Sequence, residues 1–379
     1  MAPTESINQT IQVKATVVSP VSVGQGSEKE WVEGVDYLWD DGYLYHLNLE
    51  MISKAGIPLH QFSALIANKD INGLKRLLLP KLDDVYDFGM EMPISSPNPV
   101  KTFYFNPLTE KYILFGSSLK GAIRSNLFHF LSEKEQKTSL LGQREKLNEY
   151  IFGKMKDGTD FMRFIRIGDL SFEDTVLINT KIYNLHSDGG QWKGGWKHQS
   201  GLTDERFNPK GFNTIYECLP AGASAEGFIR LSPLLYDRVP NQPNKESKDS
   251  IIKGSSDLSA QTVLFNAINI CTLQHLEKES AFFKEYPEGE HSEDISSELD
   301  RLKKLVSDFI NSGSNECMVR LSAGSGFHSV TGDWQFDNHI DTGFYTGGRN
   351  NGKKRYKSRR IACYKGHFSP MGFLRLSAL

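Results

Sequence analysis

Apolar residues recur along this chain with two different periods. Ile11, Val13, Ala15 and Val17 alternate with Gln12, Lys14 and Thr16, the period of two that predicts a half-buried strand. Ser19-Pro20 ends it. Trp31 to Leu49 predicts a hairpin turning at Asp41-Gly42. Helical spacing through Leu65, Ile66, Leu74, Leu77 and Leu78 predicts helix between Leu59 and Leu79. Pro93, Pro97, Pro99 and Pro107 make Met92 to Pro107 a loop or extended arm. Tyr112 to Phe115 predicts a strand and Ala122 to Leu131 a helix.

The second half repeats the mixture. Strands are predicted at Phe161 to Ser171, Thr175 to Asn184, Thr214 to Leu219 and Glu226 to Leu231. Between them, Leu185 to Gly211 holds six glycines and predicts a long polar loop. Pro240 to Ser256 predicts a mobile polar linker. Ser259 to Phe283 reads as helix, and Ile295 to Ile310 places Leu299, Leu302, Leu305, Phe309 and Ile310 on one helical face. Cys317 to Leu321 and Met371 to Leu376 predict the last strands. This pattern predicts an α+β fold with helices on one face of antiparallel sheets, built from a split βαβ, ferredoxin-like unit used twice. Such a sheet leaves an open face on which RNA can lie, as in RRM domains. With 379 residues the chain has room for two domains. We draw them at 1–160, with an insertion, and at 161–379, with the polar linker near 240–256 and a basic C-terminal segment.

Composition narrows the class. No apolar run approaches the ~20 residues that span a membrane, and Met1 to Thr10 lack the basic and apolar regions of a signal peptide. Cys218, Cys271, Cys317 and Cys363 lie far apart, with no C-x-x-C pair. Neither a zinc site nor a disulfide framework is indicated, and a reduced, cytoplasmic setting is expected. The net charge of -2 hides an asymmetry. From Thr342 onward there is no Asp or Glu, while Arg349, Lys353, Lys354, Arg355, Lys357, Arg359 and Arg360 follow in close order. Tyr345, Tyr356, Tyr364 and Phe368 interleave with the cations of this segment, a mixture suited to phosphate contact and base stacking. The stretch from Arg349 to Arg360 is expected to be mobile until it meets a polyanion.

Two glycine loops stand out. Gly116-Ser-Ser-Leu-Lys-Gly-Ala-Ile-Arg124 follows a strand and opens a helix. There glycine lets backbone approach a phosphate and the helix start points N–H groups at it. Lys120 and Arg124, one turn apart, can reach the same anion. An ordinary turn capped by Ser117 or Ser118 is the alternative. The second loop is Gly324-Ser-Gly-Phe-His-Ser-Val-Thr-Gly332. A further segment, Gln191 to His198, sets Trp192-Lys193 and Trp196-Lys197 on a glycine frame. These could stack bases and bind phosphates, or anchor the segment on a neighbouring subunit. His328 reads as a packing or RNA-contact residue. His339 and Asp341 have no metal spacing, and a turn explains Asp36, Asp40 and Asp41. No catalytic residue, metal site or cofactor is assigned.

Four segments, in this order, carry a resemblance: Val18-Ser-Pro-Val-Ser-Val-Gly-Gln-Gly26, the Gly116 loop, the Gly324 loop and Pro370-Met-Gly-Phe373. Together they resemble RAMP proteins of type III CRISPR effectors, specifically the Csm-complex subunit that caps the filament at the crRNA 3′ end. Phe115 stands where that family often has Pro, and Val330 where it often has Lys. The resemblance implies a pair of ferredoxin-like domains beside a repeated backbone subunit. It implies binding of the crRNA 3′ region, a part in maturing that end in antiviral defence, target RNA as a further partner, and no cutting activity. RNA contacts are then expected from Gly116, Ser117, Ser118, Lys120 and Arg124, from Gly324, Ser325 and Gly326, and from Lys353, Lys354, Arg355, Arg359 and Arg360. Two other classes compete: a metal-independent RNA endonuclease using His328 or His46, and a structural scaffold.

Overall fold

The computed structural model describes residues 8–25, 29–92, 99–135, 144–199, 202–239, 245–313, 315–321 and 358–379. The chain opens with β1 (Gln9–Val17), which buries Ile11, Val13, Ala15 and Val17 and leaves Gln12 and Lys14 exposed, as its alternation requires. β2 (Tyr37–Asp40) and β3 (Tyr43–Leu47) turn at Asp41-Gly42, whose φ values of 43° and 84° make the two-residue turn that matches strand twist. Three short helices follow: α1 (Leu49–Lys54), α2 (Leu59–Ala67) and α3 (Ile71–Leu78). The helical spacing between Leu59 and Leu79 resolves into two helices, because Lys69 turns left-handed (φ 53°) and Asp70 accepts from Gly73 N to cap α3.

Next come β4 (Tyr86–Glu91), β5 (Phe105–Asn106) and β6 (Lys111–Leu114), then α4 (Gly116–Glu135) and α5 (Arg144–Phe152). The strands β7 (Ile165–Ile167), β8 (Leu170–Phe172), β9 (Val176–Asp188), β10 (Gln191–Gln199), β11 (Leu202–Asp204), β12 (Asn213–Cys218) and β13 (Ser224–Leu231) succeed one another. Thus the glycine-rich stretch from Leu185 is no loop but a hairpin, turning at Gly189-Gly190. Behind β13 lie α6 (Pro233–Asp237), α7 (Lys245–Lys253), α8 (Ala260–Glu285) and α9 (Ser292–Asn311). The expected linker is therefore helical over α7, where Ile251 and Ile252 are buried against the core. β14 (Glu316–Arg320), β15 (Ser358–Tyr364), β16 (His367–Pro370) and β17 (Phe373–Ala378) complete the described chain.

Every strand pair within the sheets is antiparallel, and the fold is α+β as expected. The central sheet has the order β14-β17-β1-β13-β7. In sequence β1, α4, β7 and β13 succeed one another, yet β13 lies between β1 and β7, the arrangement of a split βαβ unit. Position 160 falls between β1 and the four other strands of its sheet. A second sheet has the order β11-β10-β9-β15-β16, with β12 also on β9. Small sheets β2-β3-β4 and β5-β6-β8 flank these two.

Helix α8, 26 residues long, joins the two main cores. Leu264, Phe265 and Ile268 pack with β1, β13 and α4. Further along, Leu276, Phe282 and Phe283 pack with α9, Tyr183 and Trp196. Between the two, α8 covers the outer edge of β14. Asn269 Oδ1 accepts from Met318 N at 3.0 Å, its Nδ2 donates to the Glu316 carbonyl at 2.9 Å, and Thr272 donates to the Met318 carbonyl at 2.7 Å. A side-chain amide thus stands in for a missing strand. Replacing Asn269 by Leu strands two buried backbone groups, at about 1–3 kcal/mol for each. Thermal unfolding of N269L should occur several degrees below wild type; an equal midpoint would refute the edge-covering role.

Lys181, wholly buried on β9, donates to the Lys210 carbonyl at 2.9 Å. Burial pushes its ammonium down to about 8. Between that value and the unfolded lysine value of about 10.4, the unfolded chain keeps a proton that the folded chain has released. Stability contributed here therefore rises with pH across that window. Lys181→Met should raise the unfolding midpoint at pH 7, and its advantage over wild type should shrink by pH 10. A pH-independent difference would contradict the assignment.

Candidate nucleic-acid interface

Alternation along β1 and β13 sorts their side chains onto two faces. Ile11, Val13, Ala15, Ile229 and Leu231 enter the core, while Thr10, Gln12, Lys14, Phe228 and Arg230 share the other face. Register sets Gln12 opposite Phe228, Thr10 opposite Arg230, and Arg230 opposite Arg166 of β7. Arg375 of β17 stands opposite Thr16 on the same face. Lys14 and Arg166 are exposed, Phe228 and Arg230 half-buried. The Phe228 ring lies against Gly168, where a Cβ would come within 2.7 Å of it, and the Arg230 guanidinium sits 5.2 Å from the ring centroid.

Two arginines directly across a strand pair repel each other. Lys120 adds a third cation. Burial lowers its pKa first, Asp160 opposes that shift, and Arg166 adds to it. The fold carries this like-charge cost beside the half-buried Phe228 ring. A phosphate between the cations would relieve the repulsion, and Phe228 offers a base a stacking surface.

The Gly116 loop works differently from its expectation. A Cβ at Gly116 would lie 2.2 Å from the Ile167 carbonyl oxygen, so the glycine lets α4 start against β7. Its N–H donates to Asp169 Oδ1 at 2.7 Å, and the Ser118 and Leu119 amides close on the Phe115 carbonyl at 2.9 and 3.3 Å. A carboxylate of the chain itself thus occupies the helix start where a phosphate was expected. Ser117 is exposed. Lys120 and Arg124 part company: Arg124 donates to Asn148 Oδ1 and lies 4.5 Å over Phe152, both on α5.

Two other expected cations are also claimed by the fold. Arg359 points inward from β15, pairs with Glu279 at 3.2 Å and lies 3.5 Å over Phe282. It is an interior residue, not part of an exposed clamp, because strand alternation turns it toward α8. Arg360, on the opposite face, donates to Thr180 Oγ1 at 3.0 Å and packs over Tyr216; burial lowers its pKa. Gly324, Ser325, Gly326, His328, Lys353, Lys354 and Arg355 lie outside the described residues.

The tryptophan segment is likewise structural in large part. Trp196 is fully buried, and its Nε1 donates to the Glu290 carbonyl at 2.8 Å. Gly194 and Gly195 serve close packing: a Cβ would lie 2.4 Å from the Tyr286 carbonyl oxygen at Gly194 and 2.5 Å from that of Asp204 at Gly195. Lys193 pairs with Asp188 at 2.8 Å, and Lys197 lies 4.1 Å over Phe212. Trp192 is half-buried against the second core.

One cluster was illegible in the sequence. A narrow cleft between α4 and α8 brings together Ser125, His129, His275, Lys278 and Arg320. Arg320, the last residue of β14, donates to His275 Nε2 and to the Met371 carbonyl. A guanidinium only donates, so the His275 proton is on Nδ1. Burial pushes Arg320 down to about 10. Among the described residues no group of three or more His, Cys, Asp or Glu is arranged to hold a metal ion, and no helix is long and apolar enough to cross a membrane.

Residues 14–327 match the RAMP superfamily. The chain belongs to that superfamily. This RAMP protein is similar in fold to a chain of the cryo-EM structure of a Csm-crRNA-target RNA ternary complex from a type III-A CRISPR-Cas system. The TM-score is 0.63 at 16% identity, over 97% of this chain and 100% of that one. The crystal structure of T. onnurineus Csm5 is similar with a TM-score of 0.58 at 16% identity, again over 97% and 100% of the two chains. A comparison with curated proteins finds no match.

Two sets of substitutions test the cations at the sheet face against Arg124. Lys120→Gln with Arg166→Gln should weaken single-stranded RNA binding for every sequence. The slope of log affinity against log salt should become shallower by about 1.4 if two phosphate contacts are lost. Arg124→Ala should instead lower thermal stability and leave that slope unchanged. An unchanged slope in the double variant would remove the sheet face from the interface.

Proposed function

We propose that this RAMP protein is a non-catalytic crRNA-binding subunit of a type III-A CRISPR (Csm) effector complex. In this reading it caps the backbone filament, holds or helps mature the crRNA 3′ end, and acts in the cytoplasm in antiviral defence. Its partners are crRNA, the neighbouring RAMP backbone subunit and target RNA. The observation that carries the reading is the facing pair Arg166 and Arg230, beside Lys120 and Phe228, on an open sheet face. Cations and one aromatic ring contact phosphates and stack bases without reading their identity, as a guide of changing sequence demands. Full-length similarity in fold to a chain of a Csm-crRNA-target RNA complex supports the same reading.

A metal-independent endonuclease is the second reading, and one observation favours it. His129 and His275 line one cleft with Lys278 and Arg320, and RNA cleavage of that kind needs a paired acid and base. Labelled guide RNA incubated with the protein, with and without Mg²⁺ or Mn²⁺, should stay intact. Cleavage lost in His275→Ala would establish the endonuclease instead. For the main reading, effector complexes are purified with and without this subunit and the 3′ ends of their RNA sequenced. Altered 3′ ends in its absence are expected; identical ends and identical filament length would overturn the capping role.

A further inference from the structure

A second cavity, of about 520 Å³, opens between β4, the start of β9 and the β15–β16 turn. None of its lining residues belongs to the sheet face or to the α4–α8 cleft. Met90, Met92, Leu177, Phe207, Tyr364 and Phe368 supply its apolar walls, and its size suits a small organic ligand. The aromatic wall is held firmly: Phe368 stacks on His291 with centroids 4.0 Å apart, and Phe207 meets Phe368 edge-on at 4.9 Å.

Asn179 is the polar feature of this cavity that calls for a partner. It lines the cavity, is 6% exposed, and its Oδ1 has no hydrogen-bond partner among the described residues. Its Nδ2 faces the Pro209 carbonyl at 3.4 Å. A carbonyl only accepts, so the amide cannot be turned around, and a bare acceptor is left. Buried acceptors without partners are costly and uncommon in folded proteins. Charge at the mouth points to the partner. Among the described residues, Lys365 and His367 line the cavity with a single carboxylate, Glu91. Lys365 takes a left-handed backbone (φ 48°) ahead of Gly366 (φ 78°), a turn in which Asn or Gly is usual. Its Nζ lies 5.2 Å from the Tyr364 ring centroid.

We propose that this cavity receives one unpaired RNA base, with a small shift of the Asn179 side chain bringing its buried Oδ1 to an N–H of the pairing edge, the base ring against the aromatic wall and its phosphate at Lys365. Each of the four bases carries an N–H donor on that edge, so one acceptor selects for a base without choosing among them. The proposal rests on the RNA-binding reading above and names a second contact for the same ligand, apart from the sheet face.

The test uses the full-length protein and a short single-stranded oligoribonucleotide carrying 4-thiouridine. After irradiation, cross-linked peptides are mapped. Affinity is measured for wild type, Asn179→Leu and Lys365→Gln. The expected cross-link falls on the peptide holding Tyr364 to Phe368 or on that holding Phe207. Loss of one seated base weakens binding about tenfold, and both variants should show it. Asn179→Leu removes an unpaired acceptor and one long hydrogen bond to the Pro209 carbonyl, which keeps Asn213 Nδ2 as a donor, so its unfolding midpoint should not fall below wild type, which separates lost binding from lost folding. Cross-links elsewhere, with both variants binding as wild type does, would overturn the cavity while leaving RNA binding at the sheet face intact. Wild-type protein that binds no RNA would overturn the functional reading and this proposal together. Protection of residues 363–368 from hydrogen exchange by a neighbouring subunit and not by RNA would assign the cavity to a protein side chain and overturn the proposal.

Discussion

The contact on which the rest of the structure depends is the one between α8 and the edge of β14. A sheet edge is a row of unpaired backbone groups, and leaving it buried without partners is costly. Asn269 and Thr272 supply those partners. They also set where α8 lies along the sheet. With that register set, Leu264 and Phe265 fall in the core beneath the central sheet, and Phe282 and Phe283 fall in the core beneath β9 and β10. One helix thereby holds the two sheets in relation to each other. The same register brings Glu279 to Arg359 and sets His275 against Arg320.

Cations in this protein divide by what the fold demands of them. Arg359 and Arg124 are spent inside: both lie over aromatic faces, and Arg359 also pairs with a buried carboxylate. Lys181 is buried with, among the described residues, only a backbone carbonyl as its hydrogen-bond partner. Arg166 and Arg230 are left facing each other on an open sheet. Folding gains nothing from that pairing, since like charges directly across a strand pair destabilise it. A polyanion removes the cost on binding. Residues that oppose stability at a surface are where function is to be sought.

Glycines show the same division between local signal and tertiary meaning. The loop at Gly116 has the composition of a phosphate cradle, and α4 does begin there. Its space is nevertheless filled by the Ile167 carbonyl, and its amide by Asp169. Gly194 and Gly195 sit within a strand, where flexibility would be a cost. They are required because the Tyr286 and Asp204 backbones press against β10.

Sequence alone determined the α+β class, the strand at Ile11 to Val17, the hairpin at Asp41-Gly42, the helix after Gly116 and the long helices α8 and α9. These follow from periodicity and turn chemistry, which act over a few residues. The four quoted segments carried the resemblance to RAMP proteins, and the match over residues 14–327 bears out that family. What periodicity could not convey was which groups meet across long separations. Leu185 to Gly211 looked like a loop because its pairing partners, its own continuation and the residues around Tyr286, outweigh a glycine-rich local preference. Arg359 looked exposed because Glu279, its partner, lies 80 residues away. The facing of Arg166 and Arg230, and the unpaired acceptor of Asn179, arise from strand register and packing. Only the tertiary structure decides those, because a cation or an amide becomes a site through what the fold places beside it.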